Sequence, residues 1–134
     1  MTIQFSRKLA ILGGILAPLA ETIRRWSTWR ESPANLFDDY ILGAFLLYGA
    51  WRTAKNMREG QRVLAAAWGL ACGFGYYSFF GQLKSMRLGE HDPAPISSGW
   101  VLAIKGVAVT LAVAALIGAL RRLPDNSQSR CVER

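Results

Sequence analysis

Residues 63–83 read VLAAAWGLACGFGYYSFFGQL, a run of 21 residues without a single Asp, Glu, Lys or Arg. A second run of 21 residues, Trp100–Leu120, is interrupted only by Lys105. The hydrocarbon core of a bilayer is about 30 Å thick, and a helix crosses it with about 20 residues. Each run is long enough to span alone, and a soluble chain of 134 residues has no use for two such runs in its core. The sequence therefore predicts an all-α integral membrane protein.

Two shorter apolar stretches predict further spans. The first, Leu9–Ile23, is flanked by basic residues on both sides. A cleaved signal peptide is the alternative for it, but cleavage after Ala20 would put Pro18 at the −3 position, where a small residue is needed. The second, Ala34–Trp51, follows a serine that can cap a helix and a proline, Pro33, that suits the first helical position. We expect both stretches to be retained as spans.

The four spans predict a single domain, residues 1–134, with the chain crossing the membrane in alternating directions. The predicted spans are about 9–25, 34–52, 62–83 and 99–121, and residues 122–134 form a polar tail that we expect to be frayed. Ten Lys and Arg flank the side that holds both termini, and five flank the other side. Since basic residues are retained in the cytoplasm, this bias predicts an antiparallel four-transmembrane-helix bundle, N-in and C-in. Twelve arginines to four lysines, with abundant Ala and Gly, favour a bacterial inner membrane.

Composition disfavours several classes of function. The net charge of +7 does not predict nucleic-acid binding, because the basic residues cluster at the span ends. Cys72 and Cys131 form no C-x-x-C pair and no metal-ligand spacing. His91, the only histidine, lies in a connection, so neither haem ligation within the spans nor a Ser–His hydrolase is favoured. We expect no enzymatic activity, no cofactor and no metal site.

Small residues recur at four-residue spacing in the two long runs. Gly69 and Gly73 form a G-x-x-x-G in the third span, and Gly106 and Gly118 belong to a similar stripe in the fourth. Such stripes let helix backbones approach closely in a lipid environment, which offers no hydrophobic drive for association. The pattern predicts helix packing, first of all within the bundle; a homo-oligomer or a larger membrane complex is the alternative.

Charged residues inside the spans form the most informative pattern. Glu21, Asp38, Asp39 and Lys105 all fall near the outer ends of their predicted spans, at about one depth. Glu21 and Asp39 share helix faces with small residues, whereas Asp38 is better placed to reach the interface. Intramembrane charges are costly and often functional. Three interpretations stay open: side chains that extend to the headgroups, a structural ion pair of Lys105 with an acid, or a polar pocket.

These patterns predict a non-enzymatic accessory or self-associating membrane protein, whose partners are the lipid bilayer and other membrane helices. The alternative is a small oligomeric transporter or channel, with an outer-side pocket built from Glu21, Asp39 and Lys105. The two predictions rest on different residues. The first uses the small-residue stripes, and the second uses the charges.

Overall fold

The computed structural model describes residues 2–24, 33–89 and 96–121, and these ranges contain four α-helices and no strand. The helices are α1 (Ile3–Arg24), α2 (Pro33–Lys55), α3 (Met57–Arg87) and α4 (Ser98–Leu120). Three of them, α1 over Ile3–Ile23, α3 and α4, are long and apolar enough to cross a membrane. Among the described helices α2 falls short of that standard, because Asp38 and Asp39 make its first half polar. The predicted tail 122–134 and the connection that holds His91 lie outside the described residues.

The helices extend beyond the apolar runs that predicted them. α1 begins at Ile3, because the Thr2 hydroxyl accepts a hydrogen bond from the Phe5 N–H at 3.4 Å. α3 has 31 residues, so it is about 46 Å long at 1.5 Å per residue. Its additional turns are polar and carry charged residues at both ends. Hydropathy marks only the apolar part of a helix, so the first three predicted spans were shorter than the helices, whereas the fourth was shifted by one residue.

Neighbouring helices pack antiparallel in the order α1, α2, α3, α4, and α4 returns to contact α1. α1 also contacts α3 across the centre, whereas the described parts of α2 and α4 lie diagonally, with no Cα atoms within 8 Å of each other. We call the end at which α2 leads into α3 the Asn56 end. The opposite end, at which α1 finishes and α4 begins, is the Lys105 end.

A single residue, Asn56, connects α2 with α3. Its extended backbone (φ −141°, ψ 107°) breaks the helix, and its side chain accepts hydrogen bonds from the N–H groups of Arg58 and Glu59. This is a standard N-cap, which satisfies two amides that the first helical turn leaves without partners. So short a connection forces the backbones together, and Gly60 packs directly against the backbone of Thr53. The hairpin thereby fixes how α2 and α3 face each other.

The α1–α2 crossing is built on a pair of glycines. The Gly14 carbonyl oxygen lies 2.7 Å from the position that a Cβ would occupy on Gly43, and the Gly43 carbonyl oxygen lies 2.9 Å from the corresponding position on Gly14. Pro18 has no N–H to donate to the Gly14 carbonyl four residues earlier. That carbonyl instead faces the Gly43 backbone, an arrangement suited to a Cα–H···O contact. Only glycine permits this approach.

The interior is lined by small residues and the outside by large apolar ones. Buried apolar residues are dominated by alanine, and they include Ala10, Ala50, Ala67, Ala71, Ala112, Ala115 and Ala119. Exposed apolar residues include Leu12, Leu16, Ile23, Ile104, Val107 and Ile117. A soluble bundle places its large apolar side chains inside, and extensive exposed apolar surface marks contact with a membrane or a partner. The distribution is compatible with a membrane protein.

Candidate polar site at the Lys105 end

Lys105 points into the helix assembly, toward α3. Its Nζ donates a hydrogen bond to Oε1 of Gln82 at 3.2 Å and to the Ser78 carbonyl oxygen at 3.5 Å. Gln82 is 7% exposed. Lys105 lies four residues after the buried Val101 and seven before the buried Ala112, so all three share the inward face of α4.

Glu21 and Asp39 also lie on the inward faces of their helices. Glu21 follows the buried Gly14 by seven residues, two helical turns, and is itself half-buried. Asp39 is half-buried and precedes the buried Leu42 by three residues. Asp38 is exposed, as its predicted position near the interface requires. Three helices therefore turn one ionisable side chain each toward the interior.

The helix register gives the position of each of these side chains along the axis of the bundle. Thr22 and Tyr40 join their hydroxyl groups at 3.0 Å, so their sequence neighbours Glu21 and Asp39 stand at about one level. Gly49 packs on Leu64, and ten residues further along this antiparallel pairing Asp39 faces residue 74. Lys105 packs at the level of Phe79, which contacts the adjacent Gly106. Lys105 therefore stands about five residues, ~7.5 Å, closer to the helix ends than Asp39.

The structure gives Lys105 partners on α3, with Gln82 among them. In the described residues, no Cα atom of α2, which carries Asp39, lies within 8 Å of a Cα atom of α4, which carries Lys105. Glu21, Asp39 and Lys105 each take part in further interactions. An ion pair of Lys105 with Glu21 or Asp39 stays a prediction.

The predicted packing glycines divide into two groups. Gly106 packs against Phe79, whose ring lies 3.3 Å from the position that a Cβ would occupy, and Gly118 is buried on the same helix. Gly69 and Gly73 are exposed, and no described atom lies within 4 Å of the position of an added Cβ on either. The expectation that these two pack within the bundle was wrong, because they lie on the side of α3 that faces away from its neighbours.

The closest crossings use glycines that the stripes did not single out. Gly14 and Gly60 make backbone contacts with α2. One sequence signal was available for Gly14: Pro18 follows it by four residues and leaves its carbonyl without the usual donor. No comparable signal marks Gly60, because its role follows from the one-residue connection before it.

An open groove of about 580 Å³ follows the outer side of α4 beside α3. Its lining is almost wholly apolar and includes Phe79, Gly99, Ala103, Gly106 and Leu111. Lys105 does not line it. The groove therefore belongs to the apolar exterior and not to the polar site.

Removing either partner of the Lys105–Gln82 hydrogen bond is expected to destabilise the fold. Gln82→Leu takes a buried acceptor from the ammonium group, at a cost of about 1–3 kcal/mol, and Lys105→Met has a similar effect. The double variant Gln82→Leu/Lys105→Met is expected to cost less than the sum of the single changes, since neither polar group is then left unmatched. Thermal unfolding in mild detergent measures all four proteins. If the losses of stability in the two single variants add up to the loss in the double variant, the Lys105–Gln82 contact contributes nothing to stability.

Groups of three or more His, Cys, Asp or Glu side chains that could hold a metal ion are not found in residues 2–24, 33–89 and 96–121. Cys72 is a free, half-buried thiol in α3. Glu90, His91 and Asp92 lie outside those ranges. No family model, no curated protein and no solved structure matches this chain.

Proposed function

We propose that the chain is an integral membrane protein of a bacterial inner membrane in which all four helices span, with both termini in the cytoplasm. The Asn56 end then faces the cytoplasm and the Lys105 end faces outward. The excess of Lys and Arg around the Asn56 end supports this orientation. α2 packs against both α1 and α3 along its length, which supports a fourth span despite its two aspartates. Near the start of a helix those aspartates also gain from the helix dipole.

Within that membrane we propose that the protein acts by association, as an accessory or self-associating subunit, and not by catalysis. One observation supports the proposal: the face of α3 that carries Gly69 and Gly73, called here the Gly69–Gly73 face, is exposed. An added Cβ on either glycine would meet no described atom, and the intervening α3 surface therefore lies open. A glycine gains few packing contacts on a helix face that meets lipid, whereas it permits another helix to approach closely. The open face is where a partner helix would dock.

The double substitution Gly69→Leu/Gly73→Leu tests the association. It is expected to leave the fold intact, because neither site has a neighbour, and to weaken self-association at least tenfold by holding the helices apart. Gly81→Leu is the matched control, an equally open glycine eight residues after Gly73 in the same helix and about 80° around it. Native mass spectrometry in mild detergent reports the oligomer.

A wild-type chain that co-purifies with a different membrane protein, and loses it in the Gly69→Leu/Gly73→Leu variant, would assign the accessory role. Association that is unchanged in this variant would overturn the proposal. A wild-type protein that stays monomeric and without partners would overturn it equally.

A small oligomeric transporter or channel is the second candidate, and the inward direction of Lys105 favours it. A bundle that needed only packing would not place an ammonium group against the buried Gln82. Conversely, a transport role requires that Lys105→Met abolish a flux while the protein remains folded. If that variant only lowers stability, the polar contact is structural and the candidate fails.

A further inference from the structure

Cationic side chains surround the Asn56 end on every helix. The described ones are Arg7, Lys8, Arg52, Lys55, Arg58, Arg62 and Arg121. The helix register puts Arg7, Arg52 and Arg62 at about one level: extending the Gly14–Gly43 pairing by seven residues brings Arg7 opposite residue 50, one position from the Gly49–Leu64 contact. In the described residues Glu59 is the single carboxylate at this end, and it is paired with Arg52 at 3.1 Å.

One contact joins the segments of α3 and α4 that carry two of these arginines. Nε2 of Gln61 on α3 donates to the carbonyl oxygens of Ala119 at 2.7 Å and Arg121 at 2.6 Å, at the end of α4. Arg62 is the next residue after Gln61, so the α3–α4 junction has an arginine on each side. Both side chains are exposed. The Gln61 amide binds the backbone carbonyl of Arg121, and the guanidinium of Arg121 takes no part in that hydrogen bond.

The chemistry of this junction selects an anion with several oxygens. Guanidinium groups bind phosphate through paired N–H donors, more specifically than an ammonium group does. Arg58 takes part in another interaction, so the candidate anion site consists of Arg62 and Arg121 alone. Both lie at the level where a membrane-embedded bundle meets the headgroups, and a cation near an anionic membrane surface gains about 1 kcal/mol, a factor of about five.

We propose that the Arg62–Arg121 junction is a binding site for the phosphate of an anionic phospholipid in the leaflet at the Asn56 end. The inference rests on the proposed membrane location and goes beyond it by naming a ligand class and its two contacting residues. Charge complementarity argues for a lipid, because the headgroup layer is the nearest source of phosphate to a site at this depth. Nothing in the proposal requires the Gly69–Gly73 face.

The test uses the full chain in a mild non-ionic detergent, with dioleoylphosphatidylglycerol added against dioleoylphosphatidylcholine as the zwitterionic reference. Native mass spectrometry gives the apparent Kd for the first bound lipid. Wild type is expected to prefer the anionic lipid, and Arg62→Gln/Arg121→Gln to weaken its binding by roughly 25-fold, a factor of about five for each charge removed. Lys84→Gln/Arg87→Gln, which removes two exposed cations at the other end of α3, is expected to retain the preference.

Three outcomes would overturn the proposal. Equal affinity for the two lipids in wild type would show that no anionic site exists. Equal loss in both double variants would show a general effect of net charge instead of a site. Inorganic phosphate that displaces the anionic lipid at equal concentration would assign the site to free phosphate. Failure of the membrane location itself is distinguishable, since the chain would then stay in solution without detergent.

Discussion

Gly60→Val is expected to prevent α2 and α3 from closing their hairpin, with a loss of about 3 kcal/mol or more in folding free energy. A Cβ at this position would fall on the backbone N and Cα of Thr53. No rotamer change relieves that overlap, because the obstacle is backbone and not the end of a flexible side chain. The single-residue connection at Asn56 also prevents the helices from moving apart. Thermal unfolding in detergent, with size-exclusion chromatography to score the folded fraction, measures the loss.

Gly81→Val is the control for this prediction. It makes the same chemical change in the same helix, at a position where an added Cβ meets no described atom within 4 Å. Its folded monomer is expected to keep the wild-type thermal midpoint. Gly60→Val with an unchanged midpoint would contradict the tight α2–α3 contact described above.

Gly43→Leu is expected to separate α1 from α2, at a cost of about 2–3 kcal/mol. The added Cβ would lie 2.7 Å from the Gly14 carbonyl oxygen and 2.7 Å from Cγ of Pro18. The close contact that replaces the missing Pro18 hydrogen bond would then be lost. The same thermal assay measures the destabilisation.

A double-mutant cycle isolates the crossing from other effects of substitution. Gly14→Ala and Gly43→Ala each add a methyl group against the carbonyl oxygen of the other glycine. Once one substitution has moved the helices apart, the second should cost little, so the two losses are expected to fall short of additivity by at least 0.5 kcal/mol. Fully additive losses would mean that the glycines act separately.

Much of the candidate polar site follows from the sequence. The sequence places Glu21, Asp39 and Lys105 near the ends of the apolar runs, and it puts Glu21 and Asp39 on helix faces that carry small residues. The sequence did not reveal that Lys105 contacts Gln82, or that it stands about a turn closer to the helix ends than Asp39. Those facts depend on how far one helix slides along the next, which the connection at Asn56 and the glycine contacts decide.

The sequence by itself determined the helical class, the number of helices in the described ranges and the apolar runs that make three of them long enough to span. These are local, additive properties of chain length and hydropathy. Only the tertiary structure decided which face of each helix turns inward. α4 shows why: apart from Lys105 it is apolar almost all the way round, so hydropathy does not distinguish the face that meets α3 from the exposed face. The inward face is set by where neighbouring backbones come close. Gly14, Gly43 and Gly60 lie at such approaches, whereas Gly69 and Gly73 are exposed.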